Sequence, residues 1–368
     1  DSRFFAEIPS GKSRGKREVA VFAFPRAKKS LGLIFRKFEG RDFSSIQALD
    51  RALIEFDGTA NKSRLGGNVM LGVSIAFTRV LAAERGKEAW QILREEFFPK
   101  ETRNTLPLIF SNLINGGAHA ENNLDIQEYM VVARPGVSVS GSVKKLIGLY
   151  RELGALLRKK TGHVSLGDEG GYSLNFRNNF EPIAILEKLI LKQGLTRQFR
   201  LALDVAANSF YEKKTYRFGG RRISGGELLR EYGRYVQRSK LLFSIEDPFA
   251  EEDLPGFVLL RSALPNCWIV GDDLTATNPR LVEKAAHGEL ANAVIIKPNQ
   301  IGTVSEACEA LSVASREGMK TIVSHRSGET GDNFIIHLAR AASADGVKIG
   351  APARERLSKF NELIRLYG

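Results

Sequence analysis

Six short apolar runs constrain this chain most, because each reaches a polar or charged residue at or near its C-terminal end. They are "RLALD" to Asp204, "LLFSIE" to Glu246, "CWIVGD" to Asp272, "AVIIK" to Lys297, "TIVSH" to His325 and "GVK" to Lys348. Successive end points lie 42, 26, 25, 28 and 23 residues apart. A strand, a loop and a helix that returns to a parallel strand take about that length. Continuous apolar runs imply strands buried on both faces, as in parallel sheets. Two earlier runs, "LIFSNLI" (108–114) and "YMVVA" (129–133), bring the number to eight, which closes a barrel. Sites in such barrels sit at the strand C-termini. One charge after a strand is ordinarily the start of a solvated loop. Six in succession, with three acids, two lysines and a histidine, imply an α/β barrel with a polar mouth.

The first hundred residues follow another pattern. "RFFAEI" is strand-like, and "SSIQALDRALIEF" spaces Ile46, Leu49, Leu53 and Phe56 at helical intervals. A helix-like apolar run follows from Val69 to Ala83. "KETRNTLP" is a polar break ending at a proline. The division is therefore a small α+β capping domain over 1–104 and a catalytic α/β barrel over 105–368. Between the first two barrel strands and "RLALD" lie two helical patterns, one with Val143, Leu146, Ile147, Tyr150, Leu153 and Leu157 on one face, the other "IAILEKLILK". The glycine-rich "LGDEGGYS" separates them.

Charge and cysteine content narrow the function classes. Net charge is +12. Residues 11–30 carry Lys12, Arg14, Lys16, Arg17, Arg26, Lys28 and Lys29 against Glu18 alone. No aromatic-basic RNA signature accompanies them, so a basic surface around a small anionic substrate is expected rather than nucleic-acid binding. Two cysteines cannot build a metal or disulfide framework, and a cytoplasmic setting is expected. No apolar run has the length of a membrane span. "AEIPSGKSRG" ends like a phosphate-binding P-loop, but that motif needs glycine where Ala6 stands.

The strand-end residues suggest a chemistry. Asp204, Glu246 and Asp272 end three consecutive strands and suit a hard divalent cation such as Mg²⁺. Lys297 and Lys348 lie on later strands; a lysine serves as base only when neutral, and nearby cations lower its pKa. Glu128, beside Gln127, starts the second strand. Asp168 and Glu169 sit in a glycine loop that can approach a ligand closely. A lysine base facing carboxylic acids around a metal suits removal of a proton next to a carboxylate and loss of a leaving group.

At this level the chain resembles the enolases, as a divergent or archaeal-like member. The resemblance rests on "PSGKSRG", "INGGAHAENNLDIQEYM", "LGDEGGYS", "LALDVAANSFY", "SIEDPF", "GDDLTATNP", "IIKPNQIG", "VSHRSGET" and "KIGAPARERLSKFNEL", which run in the family's order from residue 9 to the end. It implies a barrel of ββαα(βα)6 order and a Mg²⁺-dependent, reversible dehydration of 2-phosphoglycerate to phosphoenolpyruvate in glycolysis. It further implies that Asp204, Glu246 and Asp272 hold the first Mg²⁺, and that Ser13 joins a second to the substrate phosphate. Lys297 would be the base, Glu169 the acid for the 3-hydroxyl, with Glu128 and Gln127 supporting that end. Lys348 would pair with the substrate carboxylate. His325, Arg326 and Ser327 would position the substrate, the latter two at its phosphate. His119 would belong to a mobile loop that closes over the ligand.

The chain departs from that pattern at several places. Two strands usual before the "PSG" loop are not seen in the sequence, which implies a deletion or a true start further upstream. The family's homodimer contact involves this region, which weakens the expectation of a dimer. Lys12 and Arg14 stand where small residues are usual, Glu121 replaces a glycine, and Ser209 and Gly331 replace acids. The competing readings are a non-catalytic enolase-like paralogue with a binding or structural role, and a superfamily enzyme for a non-phosphorylated acid; the arginine of "SHRSG" argues against the last.

Overall fold

Eight strands close on themselves in the computed structural model, which describes residues 4–12, 15–136 and 138–368. They are β1 (Leu108–Asn115), β2 (Glu128–Ala133), β3 (Phe199–Asp204), β4 (Leu242–Glu246), β5 (Trp268–Gly271), β6 (Ala293–Ile296), β7 (Lys320–Ser324) and β8 (Gly346–Lys348). Each pairs with the next, and β8 closes the ring by pairing parallel with β1, Phe110 opposite Lys348. β2 runs antiparallel to both its neighbours, and all other pairs are parallel. This is the expected ββαα(βα)6 barrel. The two helices α5 (Val139–Thr161) and α6 (Glu181–Lys192) follow β2. The later strands alternate with α7 (Gly225–Arg238), α8 (Leu254–Ala263), α9 (Pro279–His287), α11 (Val304–Arg316), α12 (Phe334–Ala341) and α13 (Leu357–Tyr367), with a single extra turn α10 (Pro298–Ile301) after β6. The 42-residue step from Asp204 to Glu246 holds more than a helix. It also carries a small three-stranded antiparallel sheet of Tyr211–Glu212, Thr215–Phe218 and Arg221–Ile223.

Side-chain alternation builds two cores from these strands. Facing inward, Phe110, Met130, Val132, Ala202, Val270, Ala293, Ile295 and Ile322 fill the barrel. Facing outward, Ile109, Val131, Leu203, Ile269, Val294, Ile296, Val323 and Val347 pack beneath the helices. Both sets are almost fully buried, so every barrel strand reads as a continuous apolar run.

The capping part consists of α1 (Phe24–Phe38), α2 (Ile46–Asp57), α3 (Gly67–Glu84) and α4 (Ala89–Phe97). The spacing read in the sequence anticipates α2 and α3. Ser45 caps α2 by accepting the Ala48 N–H, and Gly58 ends it at a φ of 66°, which glycine adopts without strain. From the sequence no element is assigned to α1, which has Pro25 in its first turn and Arg36 and Lys37 in its last. The strand expected at "RFFAEI" does not form. Among the described residues before Leu108 there is no strand, and residues 4–9 have no neighbouring strand to share a ladder. Their backbone is satisfied by barrel loops instead: Glu7 N–H donates to Asp332 Oδ2 (3.1 Å), and Ser10 exchanges both its backbone bonds with Gly328 (3.0 and 2.9 Å).

The two parts meet through a buried carboxylate. Asp50 of α2 accepts the Ser305 N–H (2.8 Å) and hydroxyl (2.7 Å) at the start of α11. Burial raises its pKa from 3.8 to about 6, against the lowering effect of Ser74 and Ser305. The folded chain thus holds this proton more tightly than the unfolded one. The associated stability is present below pH 4 and is lost as pH rises through 6. That shift corresponds to about 3 kcal/mol at most. Relative to Asp50→Asn, the wild type should lose stability between pH 4 and 6 in chemical denaturation and then run parallel to it; parallel curves throughout would contradict the assignment.

Candidate active site

The alternation that fills the barrel also populates its mouth. Two residues beyond the inward Phe110, Ala202, Val270, Ile295 and Ile322 stand Asn112, Asp204, Asp272, Lys297 and Ser324. β2 runs the other way, so its inward residue at this end is its first, Glu128. The register sets Glu128 opposite Asp204, Asp204 opposite Glu246, and Ser324 opposite Lys348. One layer of polar side chains therefore caps a stack of apolar ones, and a cleft opens above it.

Two lysines organise the acids. Lys348 Nζ, 2% exposed, lies 2.9 Å from Asp204 Oδ2, 2.8 and 2.9 Å from the two oxygens of Glu246 and 3.0 Å from Glu128 Oε2. Burial pushes Glu246 up to about 8, with Asp204 and Asp272 adding to it and Lys348 opposing. Lys297 Nζ donates to Asp272 Oδ2, whose other oxygen accepts from Gln300 Nε2 at 2.9 Å. Burial works against the charge on Lys297, but Asp272 outweighs it and raises the pKa to about 12. In this arrangement Lys297 is an ammonium.

The opposite side of the mouth is a second cluster. Oxygens of Glu128 and Glu169 and a ring nitrogen of His119 lie within 4.8 Å of one another. Burial and the neighbouring Glu169 push Glu128 well above the usual carboxylate range. Glu169 is held well below that range, burial being outweighed by the neighbouring His325 and His119, so of the two acids Glu128 keeps the proton. Asn112 Nδ2 donates to Glu169 Oε2 at 3.0 Å. His325 is pushed down to about 4, first by burial. Its two ring nitrogens face the donors Arg356 Nε (3.3 Å) and Gly350 N–H (3.1 Å), which also disfavours a doubly protonated ring. Among the described residues, both ring nitrogens of buried His119, Oε1 of Gln127 and Oδ1 of Asn112 lack hydrogen-bond partners. Buried polar atoms left without partners mark a place where a ligand supplies them.

Lys348 thus joins Asp204 and Glu246, Lys297 pairs with Asp272, and His119, Gln127, Glu128, Glu169, His325, Arg326 and Ser327 line the same cleft. Ser327 Oγ accepts the Lys12 N–H at 2.8 Å. Ser13 lies outside the described residues. Sequence reasoning missed Asn112, although counting by twos along β1 leads to it. It also missed Glu18, Asp247 and Asp273. The carboxylate of Asp247 accepts the N–H groups of Asp272 (2.9 Å) and Asp273 (2.8 Å), so it braces the loop that carries Asp272.

The donor chemistry fits a divalent metal. Asp204, Glu246 and Asp272 offer three hard carboxylates from adjacent strand ends, and Glu246 is pushed up first by burial and then by Asp204 and Asp272. Their oxygens, each paired with a lysine, do not all lie within 4.8 Å of one another. Oxygens of Asp272, Asp247 and Asp273 do lie within 4.8 Å of one another, but Asp247 is committed to backbone N–H groups. Replacing Lys348 by Met leaves Asp204, Glu246 and Glu128 without their shared cation. Removing one partner of a buried pair costs about 3–5 kcal/mol. The loss should be large at pH 7 and smaller at pH 5, because a carboxylate whose folded pKa is raised destabilises progressively as pH rises above its unfolded value. Urea unfolding at the two pH values reads this; an equal loss at both, or none, would contradict it.

Comparison with known proteins agrees with this geometry. Residues 103–367 match the family described as "Enolase, C-terminal TIM barrel domain", and residues 1–93 match "Enolase, N-terminal domain". The chain is 38% identical over 375 residues to the enolase of Anaplasma phagocytophilum, covering 98% of this chain and 86% of that one. It is 39% identical over 380 residues to the enolases of Ehrlichia chaffeensis and Methanopyrus kandleri, covering 99% and 98% of this chain and 89% and 88% of those. Matches of this extent and identity, on both parts of the chain, establish that it belongs to the enolase family.

Proposed function

We propose that this chain is a Mg²⁺-dependent hydro-lyase that interconverts 2-phosphoglycerate and phosphoenolpyruvate, with the two sides of its barrel mouth doing different work. The observation that carries this reading is the contact of Asp204, Glu246 and Asp272 with Lys348 and Lys297 at one mouth. Nothing in that set favours a non-catalytic relative. The division between capping and catalytic parts is proposed at 104–105, between α4 and β1.

Asp204, Glu246 and Asp272 would hold the magnesium. When bound, it supplies positive charge against the second negative charge that builds on the substrate carboxylate. Ser13 would contribute to a second magnesium. Lys348 would pair with that carboxylate. Lys297 accepts the C2 proton at Nζ, which requires it to be neutral. Asp272 keeps it protonated in the arrangement above, and an Asp272 engaged with another cation no longer does so. As the C2–H bond breaks, its electron pair moves into the substrate carboxylate; it then returns to form the C2–C3 double bond as the 3-hydroxyl takes a proton and leaves as water. Glu169, oriented by Asn112, donates the proton for that departure, which requires it to be protonated; in the arrangement above Glu128 carries the proton, so its shift to Glu169 comes first, and Gln127 supports the same end. His119 closes over it and excludes solvent. Arg326 and Ser327 bind the phosphate, for which a guanidinium fork is suited, while neutral His325 positions the substrate through a hydrogen bond.

The purified chain should form phosphoenolpyruvate from 2-phosphoglycerate in the presence of Mg²⁺, followed by ultraviolet absorbance. Lys297→Ala should lower kcat by about 10²–10⁴-fold, the range a positioned base supplies, while still folding, at reduced stability because Asp272 loses its buried partner. No turnover by the folded wild type, or full turnover by Lys297→Ala, would overturn the reading.

A further inference from the structure

One buried acid at the mouth lies outside the roles assigned above. Glu18 follows the "PSGKSRG" loop, and its carboxylate meets Arg326 head-on: Nη1 to Oε2, and Nη2 to both Oε1 and Oε2, each at 3.1 Å. The two side chains are 4% and 3% exposed, so this is an interior pair rather than a screened surface one. Glu18 is itself fixed by a tight turn. Its Oε1 accepts the Gly15 N–H (3.1 Å), and its own N–H donates to Gly15 O (3.2 Å). Arg326 is held from behind, its backbone oxygen accepting from Arg356 Nη2 at 3.3 Å and its N–H donating to Glu329 Oε2 at 3.1 Å. Both residues border the same cleft as the acids and lysines.

We infer that Glu18 is a positioning residue for the phosphate end of the site: its carboxylate fixes one edge of the Arg326 guanidinium so that the other edge meets the phosphate. This rests on the assignment of Arg326 to the phosphate. The physical ground is the fork. A guanidinium has five donors in one plane and can serve two anions along two edges. An arginine on a flexible side chain loses rotamer freedom when it binds, and a partner that fixes it beforehand removes that cost. A carboxylate here also repels a phosphate, so two effects oppose. The bidentate contact, the turn that fixes Glu18 and the burial of both groups favour orientation over repulsion. The contact also ties the chain after the "PSGKSRG" loop to the barrel residue that would hold the phosphate, so loop and phosphate share one anchor.

The test measures kcat and KM for 2-phosphoglycerate, and inhibition by inorganic phosphate, in the wild type, Glu18→Gln, Glu18→Asp and Arg326→Lys. Glu18→Gln should raise KM and weaken phosphate inhibition about tenfold, equivalent to about 1.4 kcal/mol of binding, while kcat changes less than about threefold. Glu18→Asp keeps the charge but is one methylene shorter, and should show the same split. If the Gln variant does not fold, the Asp variant alone decides. An unchanged or lowered KM in the Glu18 variants, with KM raised in Arg326→Lys, would overturn the inference and leave the phosphate assignment standing. An unchanged KM in Arg326→Lys as well would overturn both. A fall in kcat and melting temperature with KM unchanged would make Glu18 merely structural, which also overturns it.

Discussion

The ammonium of Lys348 is the contact on which the mouth depends. It sits at the seam where β8 closes onto β1 and touches acids from three other strands, Glu128, Asp204 and Glu246. Without a cation there, three buried carboxylates would face one another in a medium that screens poorly. Closing the barrel and neutralising its mouth are therefore one event. The same charge arrangement that makes the layer costly to bury makes it suited to an anion that becomes more negative during reaction. The energy is spent in folding, before substrate arrives.

The mouth has two electrostatically distinct sides. On one, Asp272 holds Lys297 as an ammonium, and Lys348 shares Asp204 and Glu246. On the other, Glu128 and Glu169 face His119 and neutral His325, with Asn112 as donor. The first side gathers opposite charges. The second sets two buried acids side by side, so that Glu128 keeps a proton while Glu169 is held ionised. Such a pair of environments separates a base from an acid within one cleft. The turns that end these strands are tight: Ala206 and Asp247, just past Asp204 and Glu246, take positive φ values of 46° and 41°. Aspartate tolerates that conformation readily, whereas alanine does so at a cost of about 1–2 kcal/mol.

Much of this was legible because two simple periods coincide. Strands recur about every 25 residues, and side chains alternate every two. Asp204, Asp272 and Lys297 each stand an even count from an apolar residue that lines the barrel, so their convergence follows from the period alone. Asn112 follows from the same count but carries no charge to attract notice. Glu18 was illegible for another reason: its partner Arg326 is 308 positions away, and no local pattern encodes such a pair. Helix α1 was hidden because it buries little, Ser30 and Ile34 alone being fully covered, so its sequence carries a weak apolar stripe. The segment "RFFAEI" has strand propensity but no neighbour to pair with, and propensity alone does not make a ladder. The protonated state of Lys297 lay beyond any sequence pattern, because it depends on which cation Asp272 meets.

The central claim is that proton removal and loss of the hydroxyl belong to opposite sides of this mouth. Exchange of the C2 hydrogen of 2-phosphoglycerate with deuterium oxide, followed by proton NMR with Mg²⁺ present, separates the two. Glu169→Gln should still exchange the C2 hydrogen while forming almost no phosphoenolpyruvate, and Lys297→Ala should do neither. Exchange that survives in Lys297→Ala but vanishes in Glu169→Gln would contradict the account.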